Sequence, residues 1–360
     1  MHLVSGDLWA GAEQQVYGLC RAQAAVPGWR VRAIVCNRGA LAERLAAAGI
    51  EVRLLDELVL SAPALLRAIH RCLRDWRPQV LHTHRYKENI LGALAAKAAG
   101  VPLCLRTVHG DVEQSPGRWD WRRLRLWLDR WVGERLQQGC VAVSADLAQR
   151  LRAQGWRAPR VIENAIDVAA VREAAQAPTP AADAAAGAAI FLGRLAPVKR
   201  PDRVLALAAA LPEQRFVLVG DGALREELQA QVRRDGLSNV HFAGFQERPA
   251  AWLGRARVLL LTSRHEGLPT AVLEAMALRV PVLAQAVGGV PEVLEQGAAG
   301  WLLPAGSEAA AAQAPLREIL AGGAAVEARV ERAAQRVVRA YDLPRQAAEY
   351  LSLYKDLSRF

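Results

Sequence analysis

The chain is poor in sulfur and lacks several signatures that would settle its chemistry early. Its 360 residues hold five cysteines, Cys20, Cys36, Cys72, Cys104 and Cys140. The number is odd and no two form a Cys-x-x-Cys pair. Neither a disulfide framework nor a thiolate zinc site is expected, and the five read as small buried hydrophobes in a reducing compartment. No Gly-x-Gly-x-x-Gly run occurs, which argues against an NAD enzyme. No stretch of about 18 apolar residues suggests a membrane span. The opening MHLVSGDLW lacks a cationic start followed by an apolar segment, so a cytoplasmic location is expected. No internal repeat of solenoid type appears.

What is present is a core-forming composition, 52% hydrophobic and dominated by Ala and Leu, in a chain long enough for two domains. The net charge is +10, and the excess is mostly N-terminal. Residues 1–186 carry 25 Lys/Arg against 18 Asp/Glu, and the remainder carries 21 against 18. Such basicity suits an anionic membrane surface, a phosphorylated substrate or nucleic acid, without selecting among them.

Short apolar runs alternate with helical patterns in the first half. Strands are expected at 2–5, 31–36, 51–54, 80–82, 103–108, 140–143 and 160–162, with helices at 12–24, 41–48 and 64–76 between them. This alternation predicts a parallel, doubly wound sheet. The stretch AAQAPTPAADAAAGAA, residues 174–189, is low in complexity and reads as an interdomain linker. It would divide an N-terminal domain, 1–173, from a C-terminal one, 190–342. The rhythm restarts beyond it with strands at 190–192, 215–219, 240–242, 258–261, 280–284 and 300–303. Helices follow at about 307–321 and 324–341, and a last helix, about 343–360, can pack back on the first domain. The fold class is therefore α/β, two similar units with a cleft between them.

The densest chemistry lies in SRHEGLPTAVLEAMALRVPVLAQAVGGVPE, residues 263–292. Glu266 falls in the turn beyond a strand, where open α/β sheets bind ligands. Glu274 falls on the helix that follows, whose opening N–H groups suit a phosphate. Two carboxylates so spaced can hold two hydroxyl-rich parts of one ligand. Gly193 and Arg194 follow an earlier strand, and Lys199 precedes the next helix. Cations in such a loop can grip a diphosphate and offset leaving-group charge. Gly220 in the Gly-Asp-Gly turn either allows close backbone approach to a ligand or simply makes a tight turn. Gly11 lies in another loop that enters a helix.

His82, His84 and His109 sit at or beyond strand ends in the first unit. His-Thr-His without nearby Cys is a poor zinc pattern. Imidazoles facing the cleft and donating to a sugar or phosphate fit better. The segment PGRWDWRRLRLWLDRWVGERL, residues 116–136, has six Arg against three acids between Arg118 and Arg135. Its Leu124, Trp127, Leu128 and Trp131 form one helical stripe. Either the stripe packs on its own sheet or the helix lies on a membrane, and Trp119, Trp121, Arg122, Arg123 and Arg125 could meet lipid in both cases.

Taken together, these motifs resemble the retaining glycosyltransferases of GT-B fold, family 4 (glycosyl transferases group 1). The resemblance spans nearly the whole chain. EGLPTAVLEAMA matches that family's two-glutamate motif, and GRLAPVKRPD, VGDG, the SxxEG turn and GGVPE follow in the expected order. SGDLWAGAEQQV, HTHRYKENILG, RTVHG, VAVS and ENAID match more loosely. The resemblance implies two Rossmann-like domains facing a central cleft, the first binding the acceptor and the second a nucleotide-diphosphate sugar, UDP- or GDP-linked. It implies that Glu274 holds the ribose and Glu266 contacts the donor sugar. Arg194 and Lys199 would bind the diphosphate, with Gly193, Gly220 and Gly267 shaping the pocket. Leu268, Pro269 and Thr270 would bring backbone amides to the donor, and Gly11 would form the loop facing the diphosphate and acceptor. His109 would lie beside the transferred sugar. The chemistry would be a front-face substitution in which the departing diphosphate helps deprotonate the acceptor hydroxyl. Cations and amides would neutralise the leaving group, so no metal or other cofactor is expected, and the chain has no Asp-x-Asp motif.

Three departures from the family pattern fall in the first unit. Paired glycines near the start appear as Ala10-Gly11, and the usual Asn-Gly appears as Asn164-Ala165. Glu163 replaces a common proline. The expected reaction is transfer of a hexose-type sugar to a cell-envelope polysaccharide, lipopolysaccharide or lipid-linked acceptor, with peripheral contact to an anionic membrane. The alternatives are a nucleotide-sugar epimerase of the same fold and a non-catalytic sugar or nucleic-acid binder. The two-glutamate motif argues against the epimerase, and no RNA-binding motif supports a nucleic-acid partner.

Overall fold

A computed structural model describes residues 1–6, 9, 11–110 and 121–358, with the side chains of residues 121–126 and Pro180 outside the description. The chain divides into two units, Met1–Ala165 with Leu343–Phe360, and Ile166–Asp342.

The first unit runs β1 His2–Val4, α1 Gly11–Ala24, β2 Arg32–Val35, α2 Ala40–Ala47, β3 Glu51–Leu54, α3 Ala62–Trp76, β4 Val80–His84, α4 Tyr86–Ala99, β5 Leu103–Val108, α5 Trp121–Leu136, β6 Gly139–Ala142, α6 Ala145–Ala153 and β7 Arg160–Val161. Its strands form one parallel sheet in the order β3-β2-β1-β4-β5-β6-β7. Ser144 caps α6 by accepting a hydrogen bond from the Leu147 N–H at 3.2 Å.

The second unit runs α7 Val168–Gln176, β8 Ala189–Leu192, α8 Asp202–Ala210, β9 Phe216–Val219, α9 Arg225–Arg234, β10 Val240–Gly244, α10 Pro249–Leu253, β11 Val258–Leu261, α11 Thr270–Ala277, β12 Val282–Gln285, α12 Val290–Val293, β13 Trp301–Leu303, α13 Ala309–Ala321 and α14 Ala324–Ala340. Its parallel sheet has the order β10-β9-β8-β11-β12-β13. The Phe-Val-Leu-Val of β9 and Val-Leu-Leu-Leu of β11 are buried on both faces, as continuous apolar strands in a covered parallel sheet must be. Helix α15, Leu343–Leu357, returns to the first unit. There Ala347, Tyr350, Leu351, Leu353 and Tyr354 share a core with Leu19, Leu105 and Val141.

Two expectations about the chain path differ from what is observed. Residues 174–189 do not form a free linker. They end α7 and make a 3-10 turn, Pro180–Ala185, in which Ala182, Ala185 and Ala188 are fully buried. A run of small residues here serves close packing, which composition does not distinguish from flexibility. The chain instead enters the second unit at Ile166, whose N–H donates to the Tyr341 carbonyl at 2.9 Å. Asp167 then caps α7 by accepting from the Ala170 N–H at 2.9 Å.

The stripe on α5 is the second. Trp127, Leu128 and Trp131 are 60%, 37% and 39% exposed, so they do not pack on the sheet. The inward side is Asp129, Val132 and Gly133. Asp129 receives both guanidinium nitrogens of Arg106 on β5, at 3.0 and 2.7 Å, and both side chains are buried. Trp156 stacks on that guanidinium at 4.5 Å, and any β-carbon on Gly133 would lie 2.6 Å from the same ring. The buried ion pair sets the rotation of the helix and turns the tryptophans out. Leu124, Arg122, Arg123, Arg125 and Trp121 have side chains outside the described residues, as do Arg118 and Trp119 altogether.

Candidate active site

In the second sheet the order reverses between β8 and β11, and the loops leaving their carboxyl ends part there. Such a switch point is where open α/β sheets take ligands. Residues 193–201 leave β8 and residues 262–269 leave β11. The two loops are stitched together: the Thr262 hydroxyl donates to the Lys199 carbonyl, and the Arg264 N–H to the Val198 carbonyl, both at 2.8 Å. This fixes the Lys199 ammonium 2.7 and 2.8 Å from the two carboxylate oxygens of Glu266. The Ser263 hydroxyl donates to the same carboxylate at 2.6 Å. The Glu266 side chain is 7% exposed and that of Lys199 is 24% exposed, so the ammonium is the solvent-facing member.

Glycines brace this turn from behind. Gly288 has φ 57°, and a β-carbon there would lie 1.9 Å from the Glu266 carbonyl oxygen. The Gly289 N–H donates to the Gly267 carbonyl at 2.7 Å. Gly220 plays the same part below the other loop: with φ 137°, its β-carbon would meet the Gly193 carbonyl at 1.9 Å. The close approach that Gly220 permits is thus to neighbouring backbone.

Helix α11 opens at Thr270 at the same sheet edge, after a buried Leu268. Its first-turn N–H groups have no partners within the helix. Pro269 has no N–H and can only shape the turn, so it drops out of the expected set of amide donors. Glu274 lies one turn inside α11 and is half-buried. Burial alone pushes its carboxyl up to about 7. No hydrogen bond or ion pair to its carboxylate forms among the described residues. A half-buried carboxylate without a protein donor carries a partial desolvation cost that a pair of ligand hydroxyls would relieve. Arg194 is exposed in the β8 loop.

In the first unit the sheet reverses between β1 and β4. Sequence spacing placed His82 and His84 at strand ends, turned toward a ligand. Instead both belong to β4, which runs on to His84, and both are buried, 0% and 1% exposed. Residues two apart on a strand share a face, and here that face is packed. Their ring nitrogens are engaged: His82 with Tyr354 and Thr107, both at 2.7 Å, and His84 with His2 at 3.1 Å and His109 at 3.0 Å. They cannot donate to a sugar or phosphate. Ring nitrogens of His2, His82 and His84 lie within 4.8 Å of one another, yet these hydrogen bonds occupy the lone pairs a metal would need. His109 is half-buried, and burial pulls it down to about 4, so it is neutral at physiological pH. Gly11 opens α1, and much of the loop before it lies outside the described residues.

A charged cluster drawn largely from two of the looser motifs, HTHRYKENILG and SGDLWAGAEQQV, also sits at this edge. Arg85, at φ 68°, pairs with the buried Glu13, and Lys87 pairs with Glu57. Asn37 donates to Glu57 at 2.7 Å and to Ser5 at 3.1 Å. Glu88 beside them is raised to about 7, chiefly by burial. Arg85 shares its positive φ with Arg77, Arg200 and Arg279, and is set apart from them by its pairing with a buried carboxylate. The Ala165 departure is harmless here. Ala165 is not among the positive-φ residues, and Gln15 clamps its carbonyl and N–H at 2.7 and 3.0 Å. Nothing in the structure explains Glu163 in place of proline.

Comparisons with known proteins bear on both units. The family model described as Glycosyl transferases group 1 matches residues 181–336, and Glycosyltransferase Family 4 matches residues 9–170. The chain belongs to the family 4 glycosyltransferases of GT-B fold. It is 30% identical to the 2-deoxystreptamine N-acetyl-D-glucosaminyltransferase of Streptomyces fradiae, over 70% of this chain and 65% of that one. It is 27% identical to the UDP-Gal:alpha-D-GlcNAc-diphosphoundecaprenol alpha-1,3-galactosyltransferase of Escherichia coli, over 62% of each. The match thus spans less than two thirds of either relative. Among solved structures, Anabaena Alr3699/HepE in complex with UDP-glucose superposes with a TM-score of 0.83 at 21% identity, covering 98% and 99% of the two chains. The two parallel sheets of this chain are the two Rossmann-like halves of that fold.

Proposed function

We propose that the protein transfers a hexose-type sugar, with retention of configuration, from a UDP- or GDP-sugar to a cell-envelope polysaccharide, lipopolysaccharide or lipid-linked acceptor. The observation that carries this reading is the pairing, at one switch point, of the Lys199–Glu266 ion pair with an unpartnered Glu274 one helical turn inside α11. Glu274 accepts from the ribose hydroxyls. The N-terminal end of α11 and the cations Lys199 and Arg194 bind the diphosphate. Glu266, oriented by Lys199 and Ser263, accepts from donor-sugar hydroxyls, and Leu268, Thr270 and Gly267 line that contact. As the glycosidic bond to phosphate breaks, negative charge gathers on the leaving diphosphate, where Lys199 and Arg194 neutralise it. The diphosphate oxygen then takes the acceptor proton on the face from which the acceptor attacks. With two side-chain cations in place, the step needs no metal. His109 contacts the transferred sugar, and the Arg85, Glu88 and Lys87 cluster of the first unit serves the acceptor. A galactosyltransferase acting on a diphosphoundecaprenol acceptor and a UDP-glucose complex among the similar proteins favour a nucleotide-sugar donor and a lipid-linked acceptor.

The enzyme also docks on an anionic membrane. The exposed Trp127, Leu128 and Trp131, with Arg130 and Arg135 on the same helix, give α5 an apolar and a cationic surface. Among the described residues no helix is long and apolar enough to cross a bilayer, so contact is peripheral, from the cytoplasmic side.

The test is turnover of UDP- and GDP-sugars by the whole protein, with the product anomer read by NMR in the presence and absence of EDTA. The expected result is an α-linked product from an α-linked donor, undiminished by EDTA. Inversion, or loss of activity on chelation, refutes the mechanism.

A further inference from the structure

A single hydrogen-bonded chain runs through the interior of the first unit and ends at His109. His109 Nε2 lies 3.0 Å from His84 Nδ1, and His84 Nε2 lies 3.1 Å from His2 Nδ1. His2 Nε2 lies 2.8 Å from Gln23 Oε1. The Gln23 amide N–H then donates to the Tyr354 hydroxyl at 3.2 Å, and that hydroxyl lies 2.7 Å from His82 Nδ1. His82 Nε2 meets the Thr107 hydroxyl at 2.7 Å, and Thr107 meets the Tyr350 hydroxyl at 2.9 Å. His2, His82, His84, Gln23, Thr107, Tyr350 and Tyr354 are all buried. Five separate pieces of chain supply the run: β1, α1, β4, β5 and α15.

A neutral imidazole has one N–H and one lone pair, so the polarity of each link dictates the next. Gln23 turns its carbonyl oxygen to His2 and can only accept there. His2 must therefore carry its proton on Nε2 and present a lone pair at Nδ1. His84 must then donate from Nε2 and accept at Nδ1, and His109 must donate from Nε2. What remains on His109 is the Nδ1 lone pair. That atom is buried and has no hydrogen-bond partner among the described residues. The opposite polarity would leave an N–H buried at the same place, and an orphaned buried donor is the rarer and costlier outcome.

We propose that this chain fixes His109 as its Nε2–H tautomer, with Gln23, His2 and His84 as positioning residues, and so reserves the Nδ1 lone pair to accept a hydroxyl of the bound sugar. The tautomer itself follows from the chain alone. Its use on a sugar rests on the glycosyltransferase reading above. The arrangement explains why three buried histidines stand behind the half-buried His109. A ring free to exchange tautomers would offer a donor and an acceptor by turns, and a wrong tautomer forfeits catalysis even when the geometry is kept. It also gives the returning helix α15 a second task beyond packing, since the Tyr354 hydroxyl accepts from the Gln23 amide N–H and ties the helix into the chain.

The test is long-range 1H–15N correlation of the histidine rings in the whole protein near neutral pH, with His109 assigned by its loss in His109→Asn. The expected pattern is a single tautomer with Nε2 protonated and Nδ1 bare. A protonated Nδ1, or a mixture of tautomers, overturns the proposal. Gln23→Met keeps the side-chain length and removes the acceptor, and His84→Met cuts the link beside His109. Whichever of them retains the wild-type fold should shift His109 to a mixture, while His70 and His265, outside the chain, keep their wild-type signals. An unchanged His109 pattern in a folded variant overturns the chain as its cause. With UDP-glucose hydrolysis as the probe, the same variant should lose about tenfold in kcat with KM within twofold. A tautomer that changes as expected with kcat unaltered leaves the chain standing and refutes the role of His109 on the sugar.

Discussion

The two switch points of this molecule treat their polar groups in opposite ways. At the one between β8 and β11, the Lys199–Glu266 pair is partly open to solvent and Glu274 has no partner among the described residues. At the one between β1 and β4, His2, His82 and His84 are buried and every ring nitrogen they have is engaged. The first arrangement withholds satisfaction from a charge so that a ligand can supply it. The second saturates its members with one another, and only the end of the chain, at His109, remains unfilled. Unsatisfied groups, rather than polar groups as such, mark where ligands act.

The contrast can be broken most severely in the saturated unit. Replacing Arg106 by Leu strands Asp129 as a buried charge under Trp156 and should cost about 3–5 kcal/mol in chemical denaturation. A loss below about 1 kcal/mol would show the pair to be ornamental. In the open unit the effect moves from folding to chemistry. Lys199→Ala should lower kcat by about 100- to 1000-fold, with a smaller loss of stability than Arg106→Leu, because Ser263 still donates to Glu266 and the pair is partly open to solvent. A large drop in melting temperature would place Lys199 among the structural ion pairs.

Glu274 carries a sign that separates the two behaviours further. Burial raises its carboxyl from the ordinary 4.5 to about 7 in the fold. The folded state therefore prefers the protonated form. The stability this lends is complete below about 4.5 and is lost as pH rises through 7. Glu274→Gln should make the ligand-free protein more stable at pH 8 by about 1–3 kcal/mol and have no effect near pH 4. An equal effect at both pH values would show that burial of charge is not the cause. Since the donor needs the ionised carboxylate, KM for the donor should rise as pH falls below 7. The histidines carry the reverse sign. His2 and His109, at about 3 and 4, stay neutral in the fold while the unfolded chain takes up protons below 6.5. Stability should fall with acid from pH 6.5 toward 4, by about 1.4 kcal/mol per pH unit for each histidine of the chain. His84→Met should flatten that slope, and a slope unchanged would locate the acid sensitivity elsewhere.

The same contrast explains what could be read from the sequence. The strands of both sheets were visible as apolar runs between glycines, and the Glu266–Glu274 segment was visible because strand, turn and helix follow one another within a dozen residues. The link from Lys199 to Glu266 spans 67 residues, but each sat in its own recognisable motif. The histidine chain had no such help. Gln23 lies 331 residues from Tyr354 and His82 lies 272 from the same hydroxyl. Neither Gln23 nor Tyr354 belongs to a motif, and His82 and His84 were misplaced because β4 extends two residues further than its apolar run. Helix α5 left two readings open for another reason. Trp and Leu on one side satisfy the periodicity of a buried stripe, but a buried Arg106–Asp129 pair outranked that pattern in choosing the inward side. The Ala-rich segment 174–189 shows the remaining blind spot, since small residues signal looseness in composition and tightness in packing.

Titration of UDP and of GDP into wild type and Glu274→Ala by calorimetry tests the central claim most directly, because nucleotide binding isolates the donor contact from acceptor and turnover. The account predicts that wild type binds one of the two nucleotides and that the variant binds it at least tenfold more weakly while keeping its fold, a loss of about 1.4 kcal/mol or more. Equal affinity in the two proteins would contradict it and remove Glu274 from the donor site.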